Sequence, residues 1–390
     1  MHILSELFSL FRKRKNGFID ITLLFCVLVL IIIGCIMIYS TSAYEAGIQN
    51  SDSMFYLKKQ LAAIALGLVF MGIAIIVPYE IYNSKVVIVT ALTISFLSLF
   101  LLWTPLAYSA NGATRWIRLG GGFTIQPAEI VKITVILYLA RYLNVRTKVI
   151  QKLPAVAMAA AVPAVFVGWI WFGTSNMSSA LIVAGITAFM IFVVAPDYKK
   201  YLVVMGAIVA ITIIVVLVAH NLDRLGWNWG YRGDRIKAWV DPAAYASDEG
   251  YQTLQSLYAI GSGGFWGKGV GSSVQKLGSL PEAQNDMIFA IICEELGAFG
   301  GILTMAVFLV LIYRCSYIAR NASDLFGTLL ATGVMIHIAL QVILNIAVVT
   351  NTIPNTGISL PFISYGGTSV LFLMIEIGIV LSVGKSIKVN

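Results

Sequence analysis

Apolar runs of similar length recur along the chain and are separated by polar connections. A membrane-spanning helix needs about 20 mostly apolar residues, and ten runs come near that length. They cover roughly residues 20–42, 61–78, 85–106, 127–144, 154–172, 178–195, 201–219, 285–313, 325–350 and 365–384. Lipid does not tolerate unpaired backbone, and these runs lack the alternating polarity of a membrane barrel. The pattern therefore predicts an all-α polytopic membrane protein with about ten transmembrane helices.

Composition favours the same class of protein. Hydrophobic residues make up 59% of the 390 residues and charged residues 11%, whereas soluble proteins are about 45–50% apolar. The formal net charge of +8 is spread over short connections. That distribution suits anionic membrane lipids better than nucleic acid. We therefore expect contacts with membrane lipids and no nucleic-acid partner.

The positions of the basic residues predict an orientation in the membrane. Lysine and arginine concentrate in alternate connections, which the positive-inside rule assigns to the cytoplasm. These connections carry Arg12, Lys13, Arg14, Lys15, Lys85, Arg141, Arg146, Lys148, Lys152, Lys199, Lys200, Arg314, Arg320, Lys385 and Lys388. We predict a basic cytoplasmic N-terminus at 1–19, a cytoplasmic C-terminus and a large extracytoplasmic loop at 220–285 before helix 8. The whole chain, 1–390, is expected to form a single membrane domain.

Three polar stretches lie in connections on the predicted outer face, at 111–132, 220–285 and 351–369. In the first, Pro127 suits the first turn of a helix, and Glu129 and Lys132 follow at a spacing that allows them to pair. One interpretation is a pair that neutralises charge inside the bundle. The other is that Lys132 joins Arg115 and Arg118 in a basic pocket for a phosphate-bearing group, since both side-chain types bind phosphate.

The second stretch predicts a short amphipathic helix followed by a glycine-rich segment. Apolar residues at 251–260 have roughly helical spacing, which is typical of a helix lying on the membrane or on the bundle. Six glycines between 261 and 271 permit tight turns and a close approach of backbone to a ligand, although a flexible spacer is an equal alternative. The sequence GKGVGS is not a nucleotide-binding loop, because no strand can precede it.

Carboxylates within apolar runs are a second source of functional hypotheses. A charge at the centre of a bilayer costs about 2.5–3.5 kcal/mol on insertion scales, so such residues are paired or functional. Asp286 stands at the start of the eighth run, and Glu294 and Glu295 lie about 12 Å further along a helix. For the two glutamates we expect structural pairing, with Lys132 as a candidate partner. His337 and Glu376 are expected to be satisfied inside the bundle rather than catalytic.

Several long motifs identify the chain as similar to a known family. NGATRWIRLG, IQPAEIVK, GYQTLQSLYAIGSGGFWGKGVGSSVQKL, LPEAQNDMIFAIICEELG and TGISLPFISYGGTS occur in this order. Together they resemble the shape, elongation, division and sporulation (SEDS) family of peptidoglycan polymerases, and the resemblance covers nearly the whole chain. The segment NIAVVTNTIPNTGISLPF looks closer to the division and sporulation branches than to the elongation branch.

The resemblance implies a glycosyltransferase that polymerises lipid II at the outer face of the bacterial cytoplasmic membrane. It also implies a class B penicillin-binding protein, which is a transpeptidase, as partner within a division or elongation complex. The family's catalytic aspartate corresponds to Asp286 and its fourth-span lysine to Lys132. Its outer RW motif corresponds to Arg115 and Trp116, and its ISYGG signature to 363–367, which includes Ser364 and Tyr365.

The chain departs from the family pattern at three places. The family commonly has His-Thr-Asp where this chain has Gln284, Asn285 and Asp286, so the contribution of the first two residues is in doubt. Thr174, Ser175 and Asn176 stand where the family often has a Gln-Pro or Glu-Pro turn, so the resemblance gives only weak support to a role for that turn here. The commonly acidic position after RWI is Arg118, which adds positive charge near the predicted site.

Glycan polymerisation requires a base and an anion-binding site. We expect Asp286 to accept the proton of the attacking sugar hydroxyl. The lipid pyrophosphate should be bound by Arg115, Arg118 and Lys132, with Trp116, Glu129, Ser364 and Tyr365 completing the substrate site. No cluster of carboxylates or cysteines has metal-binding spacing, and the sequence does not decide whether a divalent cation, Mg²⁺ or Mn²⁺, shares the task.

Two other functions fit parts of the sequence. A flippase for lipid-linked precursors would use ten spans with internal charges. Such transporters, however, generally show internal repeats and paired interrupted helices, which are not apparent here. A noncatalytic scaffold of a division complex would leave Asp286 and the glycine-rich segment without a purpose. We therefore favour the polymerase.

Overall fold

The structure is a computed structural model that describes residues 19–110, 113–120, 123–147, 153–195, 199, 203, 206, 231–247 and 250–387. Helices dominate these residues. The helices are α1 (Ile21–Asn50), α2 (Phe55–Ile76), α3 (Lys85–Phe100), α4 (Pro127–Val145), α5 (Leu153–Gly168), α6 (Met177–Val194), α7 (Tyr231–Val240), α8 (Gly250–Gly263), α9 (Ile288–Asn321), α10 (Leu325–Val349) and α11 (Gly367–Gly384). The prediction of a helical membrane protein is confirmed.

Eight helical segments in the described part of the chain are long and apolar enough to cross a membrane. They correspond to eight of the predicted runs. The run at 127–144 is also helical, as α4, but Glu129, Lys132 and Arg141 make it more polar than the other eight. The predicted span at 201–219 lies outside the described residues. The protein is thus a multi-pass membrane protein, and the ten-span topology remains a prediction.

Helices α2 and α11 pack closely because small residues line their interface. A Cβ atom on Gly378 would lie 2.7 Å from both the Met71 carbonyl oxygen and the Ala74 Cβ. On the other helix, a Cβ on Gly67 would lie 2.5 Å from the Met374 sulfur. Small residues of this kind let membrane helices approach at backbone distance, where van der Waals packing drives association. The middle of α11 is thereby held against α2.

A small antiparallel sheet, which the sequence analysis did not predict, precedes α4. Its strands are β1 (Ala107–Ala110), β2 (Ala113–Gly120) and β3 (Phe123–Ile125), in the order β1-β2-β3. Irregular register at two points, between Tyr108 and Ser109 and between Arg118 and Gly120, bends the ladder. Strand β2 carries the RWIR sequence, so the sheet determines where the predicted phosphate-binding arginines lie.

The long connection before α9 contains two helices, α7 and α8. Helix α8 confirms the short amphipathic helix predicted at 251–260, and it packs against α9. Helix α7 lies over the segment between α10 and α11. There, Trp239 Nε1 donates to the Asn351 carbonyl (3.0 Å), and Arg235 Nη1 donates to the Asn355 carbonyl (3.0 Å). The connection therefore folds back onto the bundle.

Helix α9 is interrupted at Gly297, whose φ of 73° and ψ of −174° are not helical. The backbone freed by this break pairs with the glycine-rich segment that follows α8. Lys268 N donates to the Glu294 carbonyl (3.0 Å) and Ala298 N donates to the Gly264 carbonyl (2.9 Å). The left-handed conformation and the tight contact with the Phe265 carbonyl leave no room for a side chain at Gly297. The glycine-rich backbone thus packs closely against α9, and its approach to a ligand remains a prediction.

Candidate active site

Glu294 and Glu295 fasten the glycine-rich segment to the bundle. Lys268 Nζ lies 2.7 Å from Glu294 Oε1, and Lys276 Nζ lies 2.7 Å from Glu295 Oε1. Ser40 on α1 donates to Glu295 at 2.7 Å. The expectation that Lys132 pairs with these glutamates is wrong. The glycine-rich segment brings two lysines to the glutamates, whereas Lys132 has an acidic partner on its own helix.

The depth of these glutamates follows from the packing of α1 against α9. At one end of the pair, Asp20 forms a salt bridge with Arg314, with 2.6 Å between Arg314 Nη2 and Asp20 Oδ2. At the other end Ser40 meets Glu295. Twenty helical residues span about 30 Å, which is the thickness of the bilayer core. With Asp20 at one face of the apolar layer, Glu295 is expected near the other face and not at the centre.

A cavity of about 910 Å³ lies between the sheet and the helices α2, α4, α6, α10 and α11. It brings together seven of the eight residues predicted for the site. Those lining it are Arg115, Trp116, Arg118, Glu129, Lys132, Asp286 and Tyr365. Residues separated by up to 250 positions in sequence thus face one space. Ser364 is buried next to this space and is not among the lining residues.

Asp286 lies just before the first turn of α9, at the wall of the cavity. The residue is partly exposed, but its Oδ1 is covered and has no hydrogen-bond partner among the described residues. A Cβ on Gly357 would lie 3.5 Å from Asp286 Oδ2, so this glycine leaves space beside the carboxylate. Burial raises the pKa of Asp286 to about 7, and the neighbouring Glu282 carboxylate adds to the rise. A carboxyl group with such a pKa is suited to exchange protons near neutral pH.

Asn345 on α10 holds the backbone that carries Asp286. Its Nδ2 donates to the Asp286 carbonyl (2.8 Å) and to the Ile358 carbonyl (2.6 Å). Asn345 is fully buried, so each contact replaces a hydrogen bond that water cannot supply. One side chain therefore connects the Asp286 turn to the segment between α10 and α11.

We predict that Asn345→Leu lowers kcat for the reaction catalysed at this cavity about tenfold, because two buried carbonyls lose their donor and the Asp286 turn shifts. Steady-state kinetics on purified protein measure the effect. Asn321→Leu is the matched control, since Asn321 Nδ2 also donates to a carbonyl, that of Tyr317, at the end of α9 remote from Asp286. Equal kcat for wild type and Asn345→Leu would show that the turn holds its position without this bridge.

Ser364 and Tyr365 brace the same turn from the α11 side. The Ser364 hydroxyl donates to the Asn285 carbonyl (2.6 Å), and Tyr365 N donates to the Gln284 carbonyl (2.9 Å). The Ser364 oxygen also accepts from Leu360 N (2.7 Å). Gln284 and Asn285 thus contribute their backbone carbonyls to this contact. This contribution does not depend on their side chains, which differ from the His and Thr of the family pattern. The Tyr365 ring lies edge-on to Tyr56 and lines the cavity.

Lys132 and Glu129 form a buried ion pair on the cavity side of α4. Lys132 Nζ lies 2.6 Å from Glu129 Oε1, and both residues are at most 4% exposed. Glu129 Oε2 has no hydrogen-bond partner within the described ranges. The geometry contains elements of both interpretations offered from the sequence, because the two charges compensate each other and the pair also lines the cavity.

The arginines of β2 also line the cavity. Arg115 Nη2 donates to the Ser175 carbonyl (2.8 Å), which links the sheet to the turn before α6. Arg118 is exposed, with its guanidinium 4.4 Å from the centre of the Tyr108 ring. This cation–π contact holds the side chain at the cavity rim without neutralising it. Trp116, between them in sequence, lines the cavity as well.

Several lining residues were not predicted from the sequence, and three of them add polar or charged groups to the cavity. Lys59 on α2 adds a cation, Glu282 adds a carboxylate beside Asp286, and Gln341 on α10 adds a buried amide. Gln341 stands in a run that was interpreted only as a span, and Lys59 stands two residues before another such run. Glu282 has a left-handed backbone, with φ of 55°. Such strain in a residue other than glycine is a recognised signal of a functional site, but it is visible only in the structure.

His337 and Glu376 pair with each other in the interior of the bundle, although His337 Nε2 and Glu376 Oε1 have no hydrogen-bond partner among the described residues. His337 Nδ1 lies 2.8 Å from Glu376 Oε2, and both residues are buried. Neither residue lines the cavity. Within the described ranges, no group of three or more His, Cys, Asp or Glu residues is arranged to hold a metal ion.

Fold and cavity together define a multi-pass helical membrane protein with a charged site at one end of the bundle. The chain belongs to the FtsW/RodA/SpoVE family of cell cycle proteins, which it matches over residues 21–388. This membership confirms the resemblance inferred from the motifs and assigns the protein to the cytoplasmic membrane.

Two curated relatives illustrate the similarity. The chain is 35% identical over 370 residues to the probable peptidoglycan glycosyltransferase FtsW of Trichlorobacter lovleyi, covering 95% of this chain and 94% of the relative. It is 36% identical over 379 residues to stage V sporulation protein E of Bacillus subtilis, covering 94% and 97%.

Solved structures share the fold. A chain of a peptidoglycan synthase complex, described as coordinating polymerization and crosslinking, aligns with a TM-score of 0.76 at 23% identity, covering 95% of this chain and 99% of that one. The rod shape determining protein RodA of Thermus thermophilus aligns with a TM-score of 0.65 at 22% identity, covering 95% and 98%.

Proposed function

We propose that this protein is a peptidoglycan glycosyltransferase that polymerises lipid II at the outer face of the cytoplasmic membrane. The observation that carries the proposal is the shared cavity, which Asp286, Arg115 and Arg118 all line. A base and cations facing one space are the two parts that glycosyl transfer from a lipid pyrophosphate requires. The names of the relatives support the same activity, and those quoted above favour the division and sporulation branches.

In the proposed reaction, the 4-hydroxyl of one lipid-linked disaccharide attacks the anomeric carbon of another. Asp286 takes the hydroxyl proton as the new carbon–oxygen bond forms. The bond between the anomeric carbon and the phosphate breaks, and its electron pair leaves with the lipid pyrophosphate. Attack opposite the leaving group inverts the anomeric centre. Asp286 then returns its proton to water at the cavity, which restores the base.

The cationic residues stabilise the charge that develops on the leaving pyrophosphate. Arg115 and Arg118 offer forked donors, and Lys132 offers a point charge from the buried wall. Glu129 holds Lys132 in place at 2.6 Å. Trp116 and Tyr365 provide flat surfaces for the substrate, and Ser364 supports the turn that carries the base. A divalent cation, Mg²⁺ or Mn²⁺, bound with the pyrophosphate would add to the same stabilisation.

We also propose that the protein works beside a class B penicillin-binding protein, a transpeptidase, within a division or sporulation complex. The likeness to a chain of a synthase complex that couples polymerization to crosslinking supports this partner. Membrane lipids surround the remaining surface, where large apolar side chains are exposed on most of the spans.

The proposal is tested by incubating the purified protein with purified lipid II, alone and with candidate transpeptidase partners. We expect glycan chains, resolved by gel electrophoresis, in at least one of these mixtures. A flippase would instead move lipid II across vesicles and make no glycan. If lipid II is bound or moved but never polymerised under any of these conditions, the proposed function is wrong.

A further inference from the structure

Gln341 presents an unpaired acceptor at the cavity wall. The residue is 2% exposed and lines the cavity, yet its Oε1 has no hydrogen-bond partner in the described part of the chain. Its Nε2 donates to the Ser359 hydroxyl (3.3 Å), so the amide is held by one end only. A buried polar atom without a partner costs free energy. Retaining one at a binding surface is therefore a sign that a ligand supplies the missing donor.

The position of Gln341 relates it to the base. Gln341 and Asn345 are four residues apart and share one face of α10, about 6 Å along its axis. Asn345 donates to the Asp286 carbonyl, so Gln341 lies about one helical turn from the residue that holds the base. The separation between Gln341 and Asn345 along α10 is similar to a distance within a hexose, namely that from the 4-oxygen to the substituent on the second carbon.

On the basis of the proposed function, we infer that Gln341 Oε1 accepts a hydrogen bond from the amide N–H of an N-acetylated amino sugar. This sugar is the one whose 4-hydroxyl is presented to Asp286. An acetamido group at the second ring position offers an N–H donor of the required kind, and its methyl group needs an apolar surface. Helix α6 packs against α10 and contributes Ile182 to the same cavity. Gln341 thus selects an acetamido sugar as acceptor.

The test compares lipid II with an analogue in which the acetamido group of the terminal sugar is replaced by an acetoxy group, which has no N–H. For the wild type we expect kcat/KM to favour lipid II about 3- to 10-fold, the value of one hydrogen bond. In Gln341→Met this preference should disappear, because the acceptor is gone while the side-chain volume is kept. A 6-deoxy analogue retains the N–H. The ratio of kcat/KM for lipid II to kcat/KM for this analogue should therefore be the same in the wild type and in Gln341→Met.

Gln275→Met is the matched control, since Gln275 Oε1 is likewise buried without a partner but Gln275 does not line the cavity. It should keep the preference of the wild type. If Gln341→Met does not fold, Ser359→Ala is used, which frees the amide to rotate and should weaken the preference.

The inference is overturned if the wild type shows no preference, or if Gln341→Met or Ser359→Ala retains it in full. If Gln341→Met loses only the discrimination against the 6-deoxy analogue, Gln341 Oε1 accepts from the 6-hydroxyl of the sugar and not from the amide N–H. A wild type that makes no glycan from lipid II itself would overturn the proposed function together with this inference.

Discussion

Purified Asp286→Asn protein should polymerise lipid II about 10²- to 10⁴-fold more slowly than the wild type, the usual effect of losing a general base. Asparagine keeps the shape of the side chain and part of its hydrogen bonding, but it has no basic oxygen. Binding of lipid II should persist, because in the proposed reaction Asp286 contacts the acceptor hydroxyl and not the pyrophosphate. Initial rates of glycan formation and a direct binding assay measure the two effects separately.

The same variant should be at least as stable as the wild type at alkaline pH. Burial raises the pKa of Asp286 to about 7. Because the ordinary value is about 4, the folded state holds a proton between about pH 4 and 7 that the unfolded chain releases. The contribution of Asp286 to stability therefore falls as the pH rises through that window. Asparagine removes this cost, so a marked loss of thermal stability would indicate a structural role instead.

Lys132→Ala should destabilise the protein by about 3–5 kcal/mol, the usual cost of leaving one partner of a buried ion pair unpaired. Glu129 would remain buried without its counter-ion. The double variant Glu129→Ala, Lys132→Ala removes both charges and should recover most of that stability. Its activity should stay at least about tenfold low, since a hydrogen bond to a charged group is worth about 1.5–3 kcal/mol. Thermal unfolding and kcat/KM for lipid II separate the two effects.

The Asp20–Arg314 pair is a suitable control for this experiment. It joins α1 to α9 at the opposite end of the bundle, and Asp20 is buried. The double variant Asp20→Asn, Arg314→Met should therefore leave polymerisation rates close to wild type. Full activity in the Glu129→Ala, Lys132→Ala protein would show that this pair serves folding alone, and the pyrophosphate site would lose its central cation.

The helical bundle was predictable because spans are determined by local composition. An apolar run of about 20 residues must form a helix in lipid, whatever surrounds it. The amphipathic helix α8 was predictable for the same reason. The small sheet was missed, although β2 is preceded by Asn111-Gly112 and followed by Gly121-Gly122, which are typical hairpin dipeptides. The same glycines also disfavour a continuous helix, so they are compatible with an irregular loop as well as with hairpins.

The site was predictable as a set of residues but not as a set of contacts. Asp286, Arg115 and Lys132 were chosen from motifs, and they line one cavity. The partners of Glu294 and Glu295 were not predictable, because they depend on how the glycine-rich segment folds back onto α9. Gln341 gave no signal either, since one amide in an apolar run is most simply a satisfied polar residue. The partners of Glu294, Glu295 and Gln341 are determined by packing between segments that are distant in sequence.

The pH dependence of lipid II polymerisation tests the central claim most directly. If Asp286 is the base, kcat/KM for the wild type should fall tenfold per pH unit below an inflection near pH 7, the pKa to which burial raises this carboxyl. The residual rate of Asp286→Asn should lack that inflection. A wild-type rate that is constant between about pH 5 and 8, or the same inflection in the variant, would show that another group takes the proton.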